Sequence, residues 1–224
     1  AFNVARRLHK VELARECFLR VEKTNSDYMK LRREQIVYGD TTGFGERVGH
    51  YVSPDHDKEK NKNLVYSLNC GSGPLLREDQ VRAAIFARIL VLSKACSGVR
   101  PVLITRLVEM LNKNEIPKVP SLGSIGASGD LIPSSYIAME ILKQMDLEGR
   151  EGLALLNGTH FMSGIAALTI KDFSYLTQKL CDLIAILFQC FGGIINVFDG
   201  ELHAIKAHKE EADVAGSFRE LLMG

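Results

Sequence analysis

The sequence predicts a mainly α protein. Apolar residues recur at three- and four-residue steps over most of its 224 positions, the spacing of a helix face. Clusters of glycine, proline and asparagine cut the pattern into helix-length pieces. The most apolar run, Leu183 to Phe198, holds sixteen residues without a charge. No internal repeat or low-complexity segment appears, and the length suits one large domain or two small ones.

The first helical pattern runs from Asn3 to about Arg33. Val4, Leu8, Val11, Ala14, Phe18 and Val21 form one apolar face, which Leu13 and Leu19 widen. Asn25-Ser26 is expected to break it before Tyr28, Leu31 and Ile36 continue it, and its basic residues read as a solvated face. Val37 to Gly45 follows, with three glycines and two aromatics, the composition of a mobile loop. Residues 46 to 60 are polar. Asp55-His56-Asp57 raises a metal site, but no His pair at i, i+4 supports it, and a solvated loop is preferred. Asn61 to Leu68 reads as a helix stopped at Asn69-Cys70-Gly71.

The next helix starts near Arg77, where Glu78 and Asp79 suit the positive end of a helix dipole, and ends at Ser97-Gly98. Pro101 opens another, running to Leu111, and Leu131 to Met145 is a third, with Pro133 in its first turn. Short strands are expected near Tyr38 and Lys118. After a turn at Glu148 to Gly152 comes the longest helical stretch. Its expected buried stripe runs from Phe161, Ile165 and Leu168 through Phe173, Leu176, Leu180, Leu183, Ile184 and Leu187 to Phe191. Leu183 to Phe198 is shorter than the roughly 20 residues a bilayer requires, so a buried core helix is expected. Gly192-Gly193 bends or breaks it, and Glu201 to Leu222 forms one further helix or a pair.

Composition narrows the function classes. The chain is 46% hydrophobic and 25% charged with a net charge of +1, which suits a soluble protein and gives no reason to expect nucleic acid or an anionic membrane as partner. Five cysteines, an odd number without a Cys-x-x-Cys pair, argue against a disulfide framework or zinc site and for buried reduced thiols in the cytoplasm. Asn157-Gly158-Thr159 matches a glycosylation sequon, but no secretory signal precedes it. Both termini fall inside helical patterns, so a fragment of a longer protein is expected.

The chemistry centres on Ser121 to Pro133, which holds Gly123, Gly126 and Gly129 and reads as a loop. Within it, Ala127-Ser128-Gly129 has an unusual option. In a sharp bend the Gly129 amide nitrogen attacks the Ala127 carbonyl and closes a five-membered ring, and glycine tolerates the strained backbone this needs. Loss of water, including the Ser128 hydroxyl, leaves a methylidene-imidazolone, an electrophile no standard side chain supplies.

Four motifs, in order, carry a resemblance. Gly123-Ser-Ile-Gly-Ala-Ser-Gly-Asp-Leu-Ile-Pro133 resembles the signature of the histidine and aromatic amino-acid ammonia-lyases, a family that includes the 2,3-aminomutases. Tyr38-Gly-Asp-Thr-Thr-Gly-Phe-Gly45 is similar to that family's Tyr-Gly-x-x-Thr-Gly-Phe-Gly loop, Ser97-Gly-Val-Arg100 to its Ser-Gly-x-Arg segment, and Gly152 to Thr159 to its Glu-Gly-Leu-Ala-Leu-x-Asn-Gly-Thr stretch. The resemblance covers nearly the whole chain and about the first half of a family member. It implies an L-aspartase/fumarase-like architecture: residues 1-150 as an electrophile-bearing domain, residues 151-224 as the beginning of a long-helix central bundle. It also implies a homotetramer with shared active sites, a cytoplasmic location, a small aromatic amino-acid substrate, and no metal or dissociable cofactor.

By the same resemblance, Ala127, Ser128 and Gly129 form the prosthetic group, and the substrate amine adds to the carbon that Ser128 provides. Tyr38 takes the weakly acidic β-proton. A free tyrosine has a pKa of about 10, so it needs a nearby positive charge or hydrogen bond to act near neutrality. Asn157 hydrogen-bonds near the electrophile, or, read alone, caps the helix before Phe161. Gly45 closes the Tyr38 loop and joins the substrate-binding set. Asp130 supports ring closure or caps the next helix. Ser67-Leu68 occupies the pair that faces the substrate side chain. Leu68 offers no polar partner for an imidazole and Ser67 little for a phenol, and burying such a group unpaired costs roughly 1–3 kcal/mol. Phenylalanine is therefore favoured, then tyrosine, with histidine an alternative. Lyase and 2,3-aminomutase share this machinery. Two other classes stand beside it: a phosphate-binding glycine loop, lacking Gly-Lys-Ser/Thr and an obvious preceding strand, and an inactive helical scaffold.

Overall fold

Helices form where the apolar spacing is strongest, and tertiary hydrogen bonds decide where they stop. A computed structural model of the chain describes residues 1–125, 128–206 and 208–223. These fall into two units, 1–168 and 169–224.

In the first unit the expected opening helix is two: α1 (Phe2–Arg6) and α2 (Arg15–Glu34). The stretch between them is not helical, because the Asn112 side-chain amide accepts from Val11 N at 2.9 Å and donates to Val11 O at 2.8 Å, taking both backbone groups. Asn25-Ser26 does not break α2. The Asn25 amide instead donates to Gly98 O at 2.8 Å, away from its own helix. Leu8, Phe18, Leu31 and Ile36 are exposed, so the face is narrower than expected, while Val21 and Tyr28 are buried.

The core lies on α4 (Glu78–Leu92) and α5 (Pro101–Asn112), joined by α3 (Asp57–Leu68), α6 (Leu131–Leu142) and the short α7 (Glu151–Leu156). Val65, Ile85, Leu103, Leu107, Ile137 and Leu155 are fully buried there. α1 packs on α4, and α3 and α7 both pack on α6. One strand pair, β1 (Ser72–Leu75) antiparallel to β2 (Pro120–Leu122), places Ser72 opposite Leu122 and Leu75 opposite Pro120. β2 lies near the expected Lys118 strand. At the Tyr38 loop there is a single bridge, Thr42 to Tyr51.

α8 (His160–Cys190) is the longest helix, at about 46 Å. Its first turns hold buried Phe161 and Leu168. The expected buried stripe does not continue: Phe173, Leu176, Leu180, Leu183, Leu187 and Phe191 are exposed. An apolar stripe is buried only where another element packs on it, and the second unit, with α9 (Gly200–Ala204) and α10 (Lys209–Met223), packs instead through stacked Phe198 and Phe218 at 4.9 Å. Leu183 to Phe198 is accordingly not a buried core helix. By length and composition alone, the segment Glu151–Cys190 also contains a window apolar enough to cross a membrane. The helix ends before Gly192-Gly193, and the C-terminal pattern is a pair of helices. The five cysteines are all free, but none is buried: Cys70, Cys96 and Cys190 are exposed.

Candidate active site

The glycine-rich loop runs from β2 to α6. A strand therefore does precede it, though a three-residue one. Gly126 and Ala127 lie outside the described residues, so the expected role of Ala127 has no geometry to set beside it. Ser128 is exposed and Gly129 half-buried. Gly129 holds φ +93°, and a Cβ there would stand 2.6 Å from Gly158 N and 2.8 Å from Gly158 O. No other residue fits that crossing. The next residue is pinned at both ends: Asp130 N donates to Gly158 O at 2.7 Å, and the Asp130 carbonyl accepts from the Ser134 hydroxyl. Asp130 stands at the start of α6 but its side chain caps another helix, accepting from Met162 N at 3.0 Å in the first turn of α8.

Ser128 and Gly129 line a cavity of about 120 Å³ with Leu68, Gly123, Ser124, Ile125, Leu131 and Ile132. Its side chains are apolar apart from two serines. The volume is below the roughly 300–1,000 Å³ of a typical ligand pocket. Ser67 does not share it. Its hydroxyl donates to Leu64 O at 2.9 Å, and it borders a separate cavity of about 740 Å³ with Gly43, Phe44, Arg47, His50 and Lys60. The Ser67-Leu68 pair thus faces two spaces, one at the glycine loop and one at the Tyr38 loop.

In that second loop Tyr38 is 48% exposed. Gly45 N donates to its hydroxyl oxygen at 3.1 Å, and its ring meets Phe44 edge-on at 6.3 Å. An amide N–H aimed at that oxygen would strengthen if the oxygen became charged. The loop rests on a buried ionic cluster. Arg32 donates to both Asp40 oxygens at 2.7 Å and pairs with Asp57 at 2.7 Å, while the Tyr28 hydroxyl and Lys60 also reach Asp40. Burial first, then the bond to Asp40, pushes the Tyr28 phenol well up, so it stays a donor. The basic face of the first helical pattern is therefore not uniformly solvated. Asp57 is not part of a solvated loop either, since it begins α3 and accepts from Gly149 N. Asp55 and His56 are exposed, and no metal-binding cluster occurs among the described residues.

Asn157 closes α7 and is exposed, beside the Gly158 that packs on Gly129. Behind Gly158 lies a layer that the sequence reading missed. Arg88 Nη2 is 2.6 Å from His160 Nδ1, and His160 Nε2 is 2.9 Å from the Ser134 hydroxyl. All three are buried. Burial pushes Arg88 down to about 10, with Asp130 opposing the shift, and burial and then Arg88 hold His160 well below its ordinary value. The available signal was a charge inside the apolar pattern of α4, between Ile85 and Ile89, where no solvated face exists.

The sequence profile described as aromatic amino acid lyase matches residues 1–142 and 138–224. A histidine ammonia-lyase of Alkaliphilus oremlandii is 34% identical over 99% of the chain and 48% of its own length. A MIO-dependent tyrosine 2,3-aminomutase of Streptomyces globisporus is 32% identical over 99% of the chain and 46% of its own length. A crystal structure of tyrosine aminomutase from that organism superposes with a TM-score of 0.91 at 30% identity, covering 99% of the chain and 46% of that one. The chain spans about half the length of these relatives.

Proposed function

Because the chain belongs to the aromatic amino-acid lyase family, with its aspartase/fumarase-like helical fold, we propose that it carries the electrophile-bearing part of an ammonia-lyase. The substrate is an aromatic L-amino acid, phenylalanine before tyrosine. The observation that carries this reading is the shared cavity of Ser128, Gly129 and Leu68.

The residues present fit a methylidene-imidazolone formed from Ala127-Ser128-Gly129. Gly129 has the positive φ and the crowding that only glycine meets, and Ser128 opens to the cavity. In ring closure the Gly129 nitrogen bonds to the Ala127 carbonyl carbon. That oxygen leaves as one water, and the Ser128 hydroxyl leaves with its Cα hydrogen as a second. Once formed, the group supplies an electrophilic carbon for the substrate amine, so that nitrogen departs more readily. Tyr38, as its phenolate, takes the β-proton onto the oxygen that Gly45 N–H faces and becomes the neutral phenol. Asn157, beside the Gly129–Gly158 contact, hydrogen-bonds at the substrate end of the site. Leu68, with Ile125, Leu131 and Ile132, offers the side chain an apolar wall. Gly45 and Ser67 border the Tyr38 side of the substrate. Residues 1-150 form the electrophile-bearing domain and 151-224 the start of the central bundle, in a cytoplasmic homotetramer that needs no metal. The five free thiols suit a reducing compartment.

Leu68→His tests the substrate assignment in the full-length protein. Kinetics on phenylalanine and histidine should shift toward histidine by about tenfold in relative kcat/KM, the scale of one buried polar group gaining a partner. An unchanged preference contradicts the role of Leu68. The second reading, a 2,3-aminomutase, draws on the similarity to the tyrosine aminomutase. Product analysis separates the two: cinnamate for the lyase, β-phenylalanine for the mutase.

A further inference from the structure

Arg88 is a cation 4% exposed, on the buried face of α4. It has no carboxylate partner among the described residues, and its Nε has no hydrogen-bond partner there. A buried charge held this way is costly. Its guanidinium lies against Gly158, where a Cβ would come within 2.5 Å of Nη2. The Gly158 backbone also meets Gly129. Gly158 thus touches both the buried Arg88 and the glycine loop.

The hydrogen-bond directions follow from the donors. A guanidinium only donates, so His160 Nδ1 accepts from Arg88 at 2.6 Å. The proton of the neutral imidazole then sits on Nε2 and is donated to the Ser134 hydroxyl at 2.9 Å. That hydroxyl in turn donates to the Asp130 carbonyl. The chain of bonds ends on the Asp130 carbonyl, in the peptide one residue beyond Gly129. With Asp130 N held on Gly158 O, it fixes the C-terminal hinge of the tripeptide.

Resting on the ring-forming reading above, we propose that Arg88, His160 and Ser134 are positioning residues for closure of the Ala127-Ser128-Gly129 ring: they lock the Asp130–Gly158 crossing so that Gly129 keeps its strained, positive-φ backbone. None of the three touches the reacting atoms. The Gly129 nitrogen still forms the bond and two waters still leave, and the relay sets how often the geometry is reached. Misplacement of reacting groups by about an ångström is worth up to about a hundredfold in rate.

The test uses full-length protein and three variants: Ser134→Ala, His160→Leu and the conservative His160→Gln. Intact mass gives the fraction of chains that have lost two waters, ultraviolet absorbance gives the ring itself, and circular dichroism and thermal unfolding report the fold. Wild type should be largely dehydrated. Ser134→Ala and His160→Leu should remain folded with closure slowed by about tenfold or more, and His160→Gln, which can both accept and donate, should recover most of it. Should His160→Leu fail to fold, Ser134→Ala, which loses one oxygen, carries the test alone. Folded variants that dehydrate as fast as wild type overturn the relay and leave the ring intact as a reading. A wild type of unmodified mass overturns both.

Discussion

At the scale of single residues, both loops rest on buried charges. Asp40 has no exposed surface and is held by Arg32, Tyr28 and Lys60, so the turn carrying Tyr38 is anchored from below. His160 is the group with a consequence in the physiological pH range. Burial and then the Arg88 cation keep it neutral in the folded chain, whereas in the unfolded chain it protonates near 6.5. A base depressed by folding contributes fully above its unfolded value. Below that value the unfolded state binds the extra proton, and stability falls with pH. Urea unfolding at pH 7.5 and 5.5 should show lower stability at the acid end, with a slope from this residue of at most about 1.4 kcal/mol per pH unit. His160→Gln should flatten that part of the slope. An unchanged profile would assign the acid sensitivity elsewhere.

At the scale of elements, two of the sequence motifs prove to be one structural clamp. Arg100, from Ser97-Gly-Val-Arg100, sends Nε and Nη2 to the two Glu151 oxygens at 2.9 and 2.7 Å, and its own amide to the same carboxylate at 2.9 Å. Glu151 opens α7, so the clamp ties the start of α5 to the helix that delivers Asn157 and Gly158. Arg100→Ala leaves Glu151 buried with fewer partners. Denaturant unfolding should register a loss of about 3 kcal/mol, the low end for a broken buried pair since Arg100 is partly exposed. A loss below about 1 kcal/mol would mean the pair behaves as a surface contact. The helices themselves were legible wherever a 3.6-residue apolar period ran uninterrupted, as in α4, α5 and α6. The first 34 residues were not, because Asn112 and Asn25 decide matters there through contacts distant in sequence. The roles proposed for Tyr38, Ser128, Gly129 and Asn157 come from motif and chemistry. The buried contacts of Arg88, His160 and Ser134 were not legible, since each lies on an apolar helix face and meets its partners across the fold.

At the scale of the whole molecule, α8 carries an exposed apolar stripe, and the cavity at Ser128 measures only about 120 Å³. The chain corresponds to about half of each relative, while Ser128, Gly129 and the buried groups beneath them all lie within the first unit; on the proposed reading, ring formation draws on this unit and turnover on the full-length protein. The loss of water from Ala127-Ser128-Gly129 is therefore the most direct test of the central claim. Intact mass spectrometry of the full-length protein, with fragmentation across residues 121–133, should find two waters missing and place the loss on the tripeptide. A Ser128→Ala control, which has no hydroxyl to eliminate, should lose at most one water. A folded full-length protein whose tripeptide has its unmodified mass would contradict the account.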